Sequence, residues 1–148
     1  MLLVEKVLAL KATDIFREVP EQDLVDIAMI MEELEMDANT LIFSKGDIGD
    51  SLYIIHQGSV RIHDGEHQFA VLHSGEIFGE LSLLDAEPRS ADATTKEDCL
   101  LLFLKQEPFM EAMIQNSHVL KGILATLCRR LREEDRKAAA AARLQLSA

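Results

Sequence analysis

The hydrophobic period of the chain changes twice. At the start, Leu3, Val4, Val7 and Leu8 recur at helical spacing with Glu5 and Lys6 on the other side, which predicts a short helix. Thr13 and Asp14 break it, and Ile15-Phe16 form an apolar plug. Pro20-Glu21 opens a second helix, with proline and acids in the first turn, where fixed φ and the positive helix end favour them. Its apolar stripe runs Leu24, Ile27, Ala28, Met31, Leu34.

Asp37-Ala38-Asn39 is a turn, and from Thr40 to Leu104 the period is two. Short apolar runs at 41–43, 51–56, 59–63, 67–72, 76–78, 90–95 and 99–104 are punctuated by glycines, and Asp64-Gly65 is a two-residue hairpin turn. Many short strands at this spacing predict an antiparallel barrel or sandwich. After Leu104 the helical period returns. Glu107-Pro108 starts a short helix with Phe109, Met113 and Ile114 inward, and Asn116-Ser117 breaks it. Leu120, Ile123, Leu124, Leu127 and Leu131 then mark the stripe of a long helix. The alanine run 138–142 fits either continued helix, since alanine has the highest propensity, or a fraying linker. The expected organisation is one α+β domain over 1–148: helices in 1–36, strands in 37–104, helices in 105–148.

Composition narrows the function. A chain of 148 residues, 48% apolar, buries one sizeable core. A net charge of −11 argues against nonspecific nucleic-acid binding, which needs basic patches that release counterions. It does not exclude a single local anion site. No apolar run is long enough to insert in a membrane, and the opening MLLVEKVLAL lacks a signal-peptide cleavage site. Cys99 and Cys128 are far apart in apolar runs, which reads as two buried thiols in a reducing, cytoplasmic compartment.

The stretch 78–93, FGELSLLDAEPRSADA, carries the candidate chemistry. Gly79 permits a tight turn. Glu80-Leu81-Ser82-Leu83-Leu84 is long enough for about one helical turn, in which the N–H groups of Leu81 and Ser82 lack intrahelical partners and attract anions. Pro88 stiffens the chain before Arg89, the one arginine between Arg61 and Arg129. Ser90 and Ala91 are small enough for close approach. This kit suits an anion held by Arg89 and backbone amides, with a neighbouring hydroxyl held by Glu80. A phosphate joined to a ribose has both.

This stretch resembles the phosphate-binding cassette of the cyclic-nucleotide-binding domain family: Phe-Gly-Glu-Leu-Ser-Leu, a short spacer, then Pro-Arg-Ser-Ala. A second landmark is Gly46-Asp47-Ile48-Gly49-Asp50, with Gly58 before Val60 and Ile62. The resemblance implies a jelly-roll barrel flanked by helices and a ligand, cyclic AMP or alternatively cyclic GMP, with no further cofactor. It implies that Arg89 pairs with the cyclic phosphate, aided by N–H groups of Ser82, Ser90 and Ala91. Glu80 would accept from the ribose 2′-hydroxyl, with Gly79 and Leu81 shaping that side and Phe78 and Pro88 in support. Asp50 would hold Arg89 in place, or else serve as a turn residue, as Asp47 reads. The last helix would form a lid near Leu127 to Leu131, or a homodimer seam. Nothing resembling a DNA-binding helix-turn-helix follows Leu104, so an effector domain in a longer protein is the expected partner. Asp92 departs from the family pattern, and Asp85 and Glu87 add negative charge beside the cassette.

Rival readings find less. His56, His63, His67 and His73 lack metal-ligand spacing, and His63 and His67 read as solvated hairpin residues, so no metal is expected. Ser82 lies in no Gly-x-Ser-x-Gly turn, so no catalytic residue is assigned. The remaining alternative is a structural or protein-interaction domain that keeps the cassette without the nucleotide, Glu80 and Arg89 forming an ordinary salt bridge.

Overall fold

The computed structural model describes residues 1–146; residues 147–148 and the side chain of Leu81 lie outside the described residues. Two helices, α1 (Leu3–Lys11) and α2 (Glu21–Ile30), open the chain. Eight strands follow: β1 (Glu32–Met36), β2 (Leu41–Phe43), β3 (Ser51–Gln57), β4 (Val60–Asp64), β5 (His67–Leu72), β6 (Ile77–Phe78), β7 (Asp92–Thr95) and β8 (Cys99–Lys105). A single turn, α3 (Leu81–Leu84), lies between β6 and β7, and α4 (Gln106–Gln115) and α5 (Ser117–Leu146) close the chain. The strands form two four-stranded antiparallel sheets, β1-β8-β3-β6 and β2-β7-β4-β5. Among the described residues no ladder joins one sheet to the other, so the hydrogen bonding is that of two sheets and not of a closed barrel.

The first sheet is covered on both faces. Leu52 and Ile54 of β3, with Leu102 and Leu104 of β8, pack with Leu10, Phe16, Leu24, Ile27, Phe109 and Ile123 in a core shared with the helices. Ile55 of β3, with Cys99 and Leu101 of β8, packs against Val60, Phe78 and Ala93 in a second core between the sheets. Burial on both faces explains the near-continuous apolar runs LYII and LLLFL, where a one-sided strand would alternate. The plug Ile15-Phe16 is fully buried, and the Phe16 and Phe109 rings meet edge-to-face at 5.8 Å.

Four features differ from the sequence reading. The second helix does not reach Leu34: Met31 is already extended, and residues 32–36 form β1, paired from Glu32↔Phe103 to Met36↔Cys99. Pairing satisfies the open edge of β8, and Leu34 and Met36 pack on the inter-sheet core while Glu33 and Glu35 face outward. Two apolar positions were too few to reveal that alternation. Ile114 is exposed, and Cys128 is exposed while Cys99 is buried. His63 is buried too: its Nδ1 donates to the Gly65 carbonyl at 2.7 Å and its Nε2 lies 2.7 Å from Thr94 Oγ1.

The helix α5 runs unbroken through the alanine stretch. One of its stripes grips the connection between α1 and α2. Gly122 lies so close to Val19 that a Cβ there would meet Val19 Cγ2 at 2.5 Å and Val19 Cα at 2.9 Å. One turn on, buried Thr126 donates from Oγ1 to the Ile15 carbonyl at 3.5 Å. Asp92 clamps a different pair of segments. Its carboxylate accepts from the Lys45 N–H at 2.7 Å and the Gly65 N–H at 3.2 Å, tying the loop after β2 to the β4–β5 turn. Those two donors hold its carboxyl below the ordinary range.

Gly122→Ala is expected to lower stability by about 1–2 kcal/mol, because overpacking against the Val19 backbone outweighs the roughly 1 kcal/mol gain in helix propensity. A chemical denaturation midpoint at or above wild type would refute this packing. For Asp92, a depressed folded pKa means its contribution is present above the unfolded value and lost as the pH falls through the folded one. The stability gap between wild type and Asp92→Ala should therefore be full above about pH 4 and close below it. A gap that stays constant in thermal melts on acidification would rule the clamp out.

Candidate functional site

The site is assembled from backbone first. The loop after β2 runs alongside residues 87–89, with a bridge between Ile48 and Pro88. The Gly46 N–H donates to the Arg89 carbonyl at 2.8 Å, the Arg89 N–H to the Asp47 carbonyl at 2.7 Å, and the Gly49 N–H to the Glu87 carbonyl at 3.0 Å. Gly46 has φ +91, which a residue with a side chain rarely adopts. The carboxylate of Asp47 accepts from the Ser44 N–H at 2.9 Å and closes its own turn, in keeping with the turn reading.

This strap fixes where Arg89 enters the interior. Its side chain is buried, and Nη1 donates to Ser82 Oγ at 2.9 Å and Nη2 to the Ser51 carbonyl at 2.9 Å. The guanidinium carbon lies 4.2 Å from the centroid of the Phe43 ring, close enough for a cation–π contact. Two glycines leave room for it. A Cβ on Gly49 would meet Arg89 Nε at 2.5 Å, and one on Gly79, where φ is +72, would meet Arg89 Nη1 at 2.5 Å.

The expected Asp50–Arg89 pair is not formed. The Asp50 carboxylate accepts from Ser51 Oγ at 3.0 Å, and its carbonyl accepts from the Gln106 N–H at 2.7 Å. Burial pushes the Arg89 pKa down, and the fields of Tyr53, Asp50 and Asp47 push it back up by less; from Asp50 the guanidinium receives that field and no hydrogen bond. Nor is every cassette N–H free: that of Ser82 donates to the Gly79 carbonyl at 3.3 Å. Among the described residues no carboxylate pairs with the guanidinium of Arg89, a residue only 8% exposed.

Beside Arg89 opens a cavity of about 640 Å³. Phe43, Ile62, Ile77, Phe78 and Leu84 give it apolar walls, and Gly79, Glu80, Ser82, Pro88, Arg89, Ser90 and Ala91 give it a polar end. The volume lies in the range of small-molecule sites. Asp85 and Glu87 sit exposed at its rim. Asp92 lies at the loop clamp, away from these walls. The expected lid does not line the cavity: Leu131 is exposed, and Leu127 packs on the helical core. The contact from α5 is polar. Arg130 presents Nη1 to Glu80 Oε1 at 3.1 Å.

The cassette residues were legible because they are contiguous. Gly49, Ser51 and Phe43 were not singled out, although Gly49 lay inside a noted motif. Their role depends on where Arg89 arrives, which only the fold decides. Arg130 and Asp14 left no signal beyond an arginine pair on a helix and an acid in a turn.

Comparison with known proteins agrees with this geometry. Residues 33–116 match the family model of the cyclic nucleotide-binding domain. The chain is 43% identical over 99 residues to a cyclic AMP receptor protein of Thermus thermophilus, covering 64% of this chain and 46% of that protein. It therefore spans less than half the length of this relative. Among solved structures, the N-terminal domain of a transcriptional regulator from Streptomyces coelicolor superposes with a TM-score of 0.82 at 27% identity, covering 86% of this chain and 95% of that one. The regulatory domain of Toxoplasma gondii PKA, in a co-crystal structure with cAMP, superposes with a TM-score of 0.68 at 31% identity, covering 74% of this chain and 44% of that one. With the cassette, the strap behind it and the matched span in agreement, the chain belongs to the cyclic nucleotide-binding domain family.

Proposed function

We propose that this chain is a regulatory sensor domain for cyclic AMP. The observation that carries the reading is Arg89: a buried guanidinium held only by neutral partners, at the polar end of a cavity of ligand size. A buried charge without a counter-charge is unfavourable, and a phosphate supplies the missing one. The cyclic phosphate binds Arg89, with the N–H groups of Ser90 and Ala91 close by. Glu80 takes the ribose 2′-hydroxyl, and the apolar walls take the rest of the nucleotide. The co-crystallised cAMP of the Toxoplasma relative supports the choice of ligand.

Coupling follows from α3 and α5. Leu83 of α3 is buried in the helical core, so a ligand that repositions the cassette also acts on the helices. This is a shift between two states, and it needs the nucleotide to bind one more tightly. The output belongs to an effector region in a longer protein. We also propose that α5 pairs with a second copy. Leu120, Leu124 and Leu131, with Leu127 between them, follow alternating four- and three-residue spacing, and the first three are exposed by 40%, 50% and 65%.

Calorimetric titration with cyclic AMP and cyclic GMP tests the ligand. Wild type should bind cyclic AMP, and Arg89→Ala should weaken it by at least about a hundredfold, the effect of removing a buried charged partner. Gly49→Ala should weaken it by about tenfold or more through displacement of the guanidinium, a charged hydrogen bond being worth roughly 1.5–3 kcal/mol. Tighter binding of cyclic GMP would transfer the reading to that nucleotide. No binding of either by folded protein would leave an interaction domain with an empty cassette. For the seam, light scattering should give a dimer mass that falls to monomer in Leu124→Lys/Leu131→Lys; a monomeric wild type at high micromolar concentration would exclude it.

A further inference from the structure

The carboxylate assigned to the ribose already has a partner, and that partner answers to a second acid. Arg130 bridges Glu80 and Asp14, which stand far apart in sequence. Toward Glu80 it makes contacts of 3.1 Å from Nη1 and 3.3 Å from Nη2. Toward Asp14 Oδ2 it makes shorter ones, 2.9 Å from Nε and 2.7 Å from Nη2. One nitrogen, Nη2, thus serves both acids. Arg129 reinforces the Asp14 side, donating from Nη2 to Oδ1 at 2.7 Å. Glu18, Glu133 and Arg17 complete the charged surroundings at 3.5–3.9 Å from Arg129 or Asp14. Hydrogen bonding by Arg130 is the largest influence holding the Asp14 carboxyl below its ordinary range.

Three separate parts of the chain meet here. Asp14 lies in the connection between α1 and α2, Glu80 in the cassette, and the arginines on the stripe of α5 that already grips Val19 and Ile15. A hydroxyl bonds most strongly to a carboxylate that keeps its charge. The closer Arg130 sits on Glu80, the less of that charge remains for a sugar.

We propose that Asp14 is a positioning residue for nucleotide recognition: it draws the Arg130 guanidinium off Glu80 and keeps that carboxylate available to the ribose 2′-hydroxyl. The inference rests on the assignment of Glu80 to the ribose. Linkage makes the effect reciprocal. A sugar hydroxyl that engages Glu80 releases Arg130 toward Asp14, and α5 closes harder on the connection between α1 and α2. The N-terminal helices and the nucleotide then read one another through a single side chain.

The test uses two probes that differ only at the atom concerned, cyclic AMP and 2′-deoxy cyclic AMP, titrated into the full chain. Wild type should prefer the 2′-hydroxyl by about tenfold or more, as one charge-assisted hydrogen bond predicts. Asp14→Asn should cut that preference by at least about threefold, and Asp14→Glu should restore it. Arg130→Gln should hold the preference at or above wild type, and Asp14→Asn/Arg130→Gln should match Arg130→Gln alone. Circular dichroism establishes that each variant is folded. Equal weakening of both probes by Asp14→Asn, an unchanged preference, or an effect that persists without Arg130 would overturn the role of Asp14 while leaving the functional reading intact. Failure of folded wild type to bind either probe would overturn both.

Discussion

One buried cation constrains the architecture of the ligand half. The Arg89 guanidinium lies inside, yet its contacts are a serine hydroxyl, a backbone carbonyl and an aromatic face. Such partners orient a charge without neutralising it. Two glycines give up their side chains to make room, one loop is strapped along the arginine's own backbone, and a third segment supplies Ser51. A carboxylate in their place would have stabilised the empty protein and reduced its need for an anion. Asp50 stands near enough to bias the arginine electrostatically but makes no ion pair with it.

The helical half is built around a different device, a helix with two unlike faces. One face of α5 has Gly122 and Thr126 at positions where bulk is excluded, followed by Arg129 and Arg130 where charge is needed. The other face is leucine-rich and exposed. The same helix therefore closes its own domain and offers a surface outward, and the arginine pair marks where it reaches the cassette.

Most of the fold could be read from the sequence, because the segments that became β2 to β8 are short runs set off by glycines and other turn residues. β1 could not, since Leu34 and Met36 were its only apolar residues and Leu34 also continues the stripe of the preceding helix. The cassette was legible for a related reason: its residues are consecutive, so local chemistry and local sequence coincide. What was missed is what the fold brings from afar. Phe43, Ser51, Asp14 and Arg130 are ordinary residues in ordinary contexts until the chain places them beside Arg89 or Glu80. His63 shows the same limit in reverse. Its position beside a tight turn suggested exposure, but Thr94 from another strand covers it.

Leu101 and Leu102 are neighbours in β8, and they belong to different cores. The pair β3–β8 is thus a party wall, plastered on one side by helices and on the other by the opposing sheet. Bending it would disturb both rooms at once, which suits it to be the fixed frame of the proposed coupling. The proposed coupling therefore falls to the parts hung on it: the single turn of α3, the strap over Arg89, and the long helix α5. The proposed signal would then be a rearrangement of fittings around a wall that stays still.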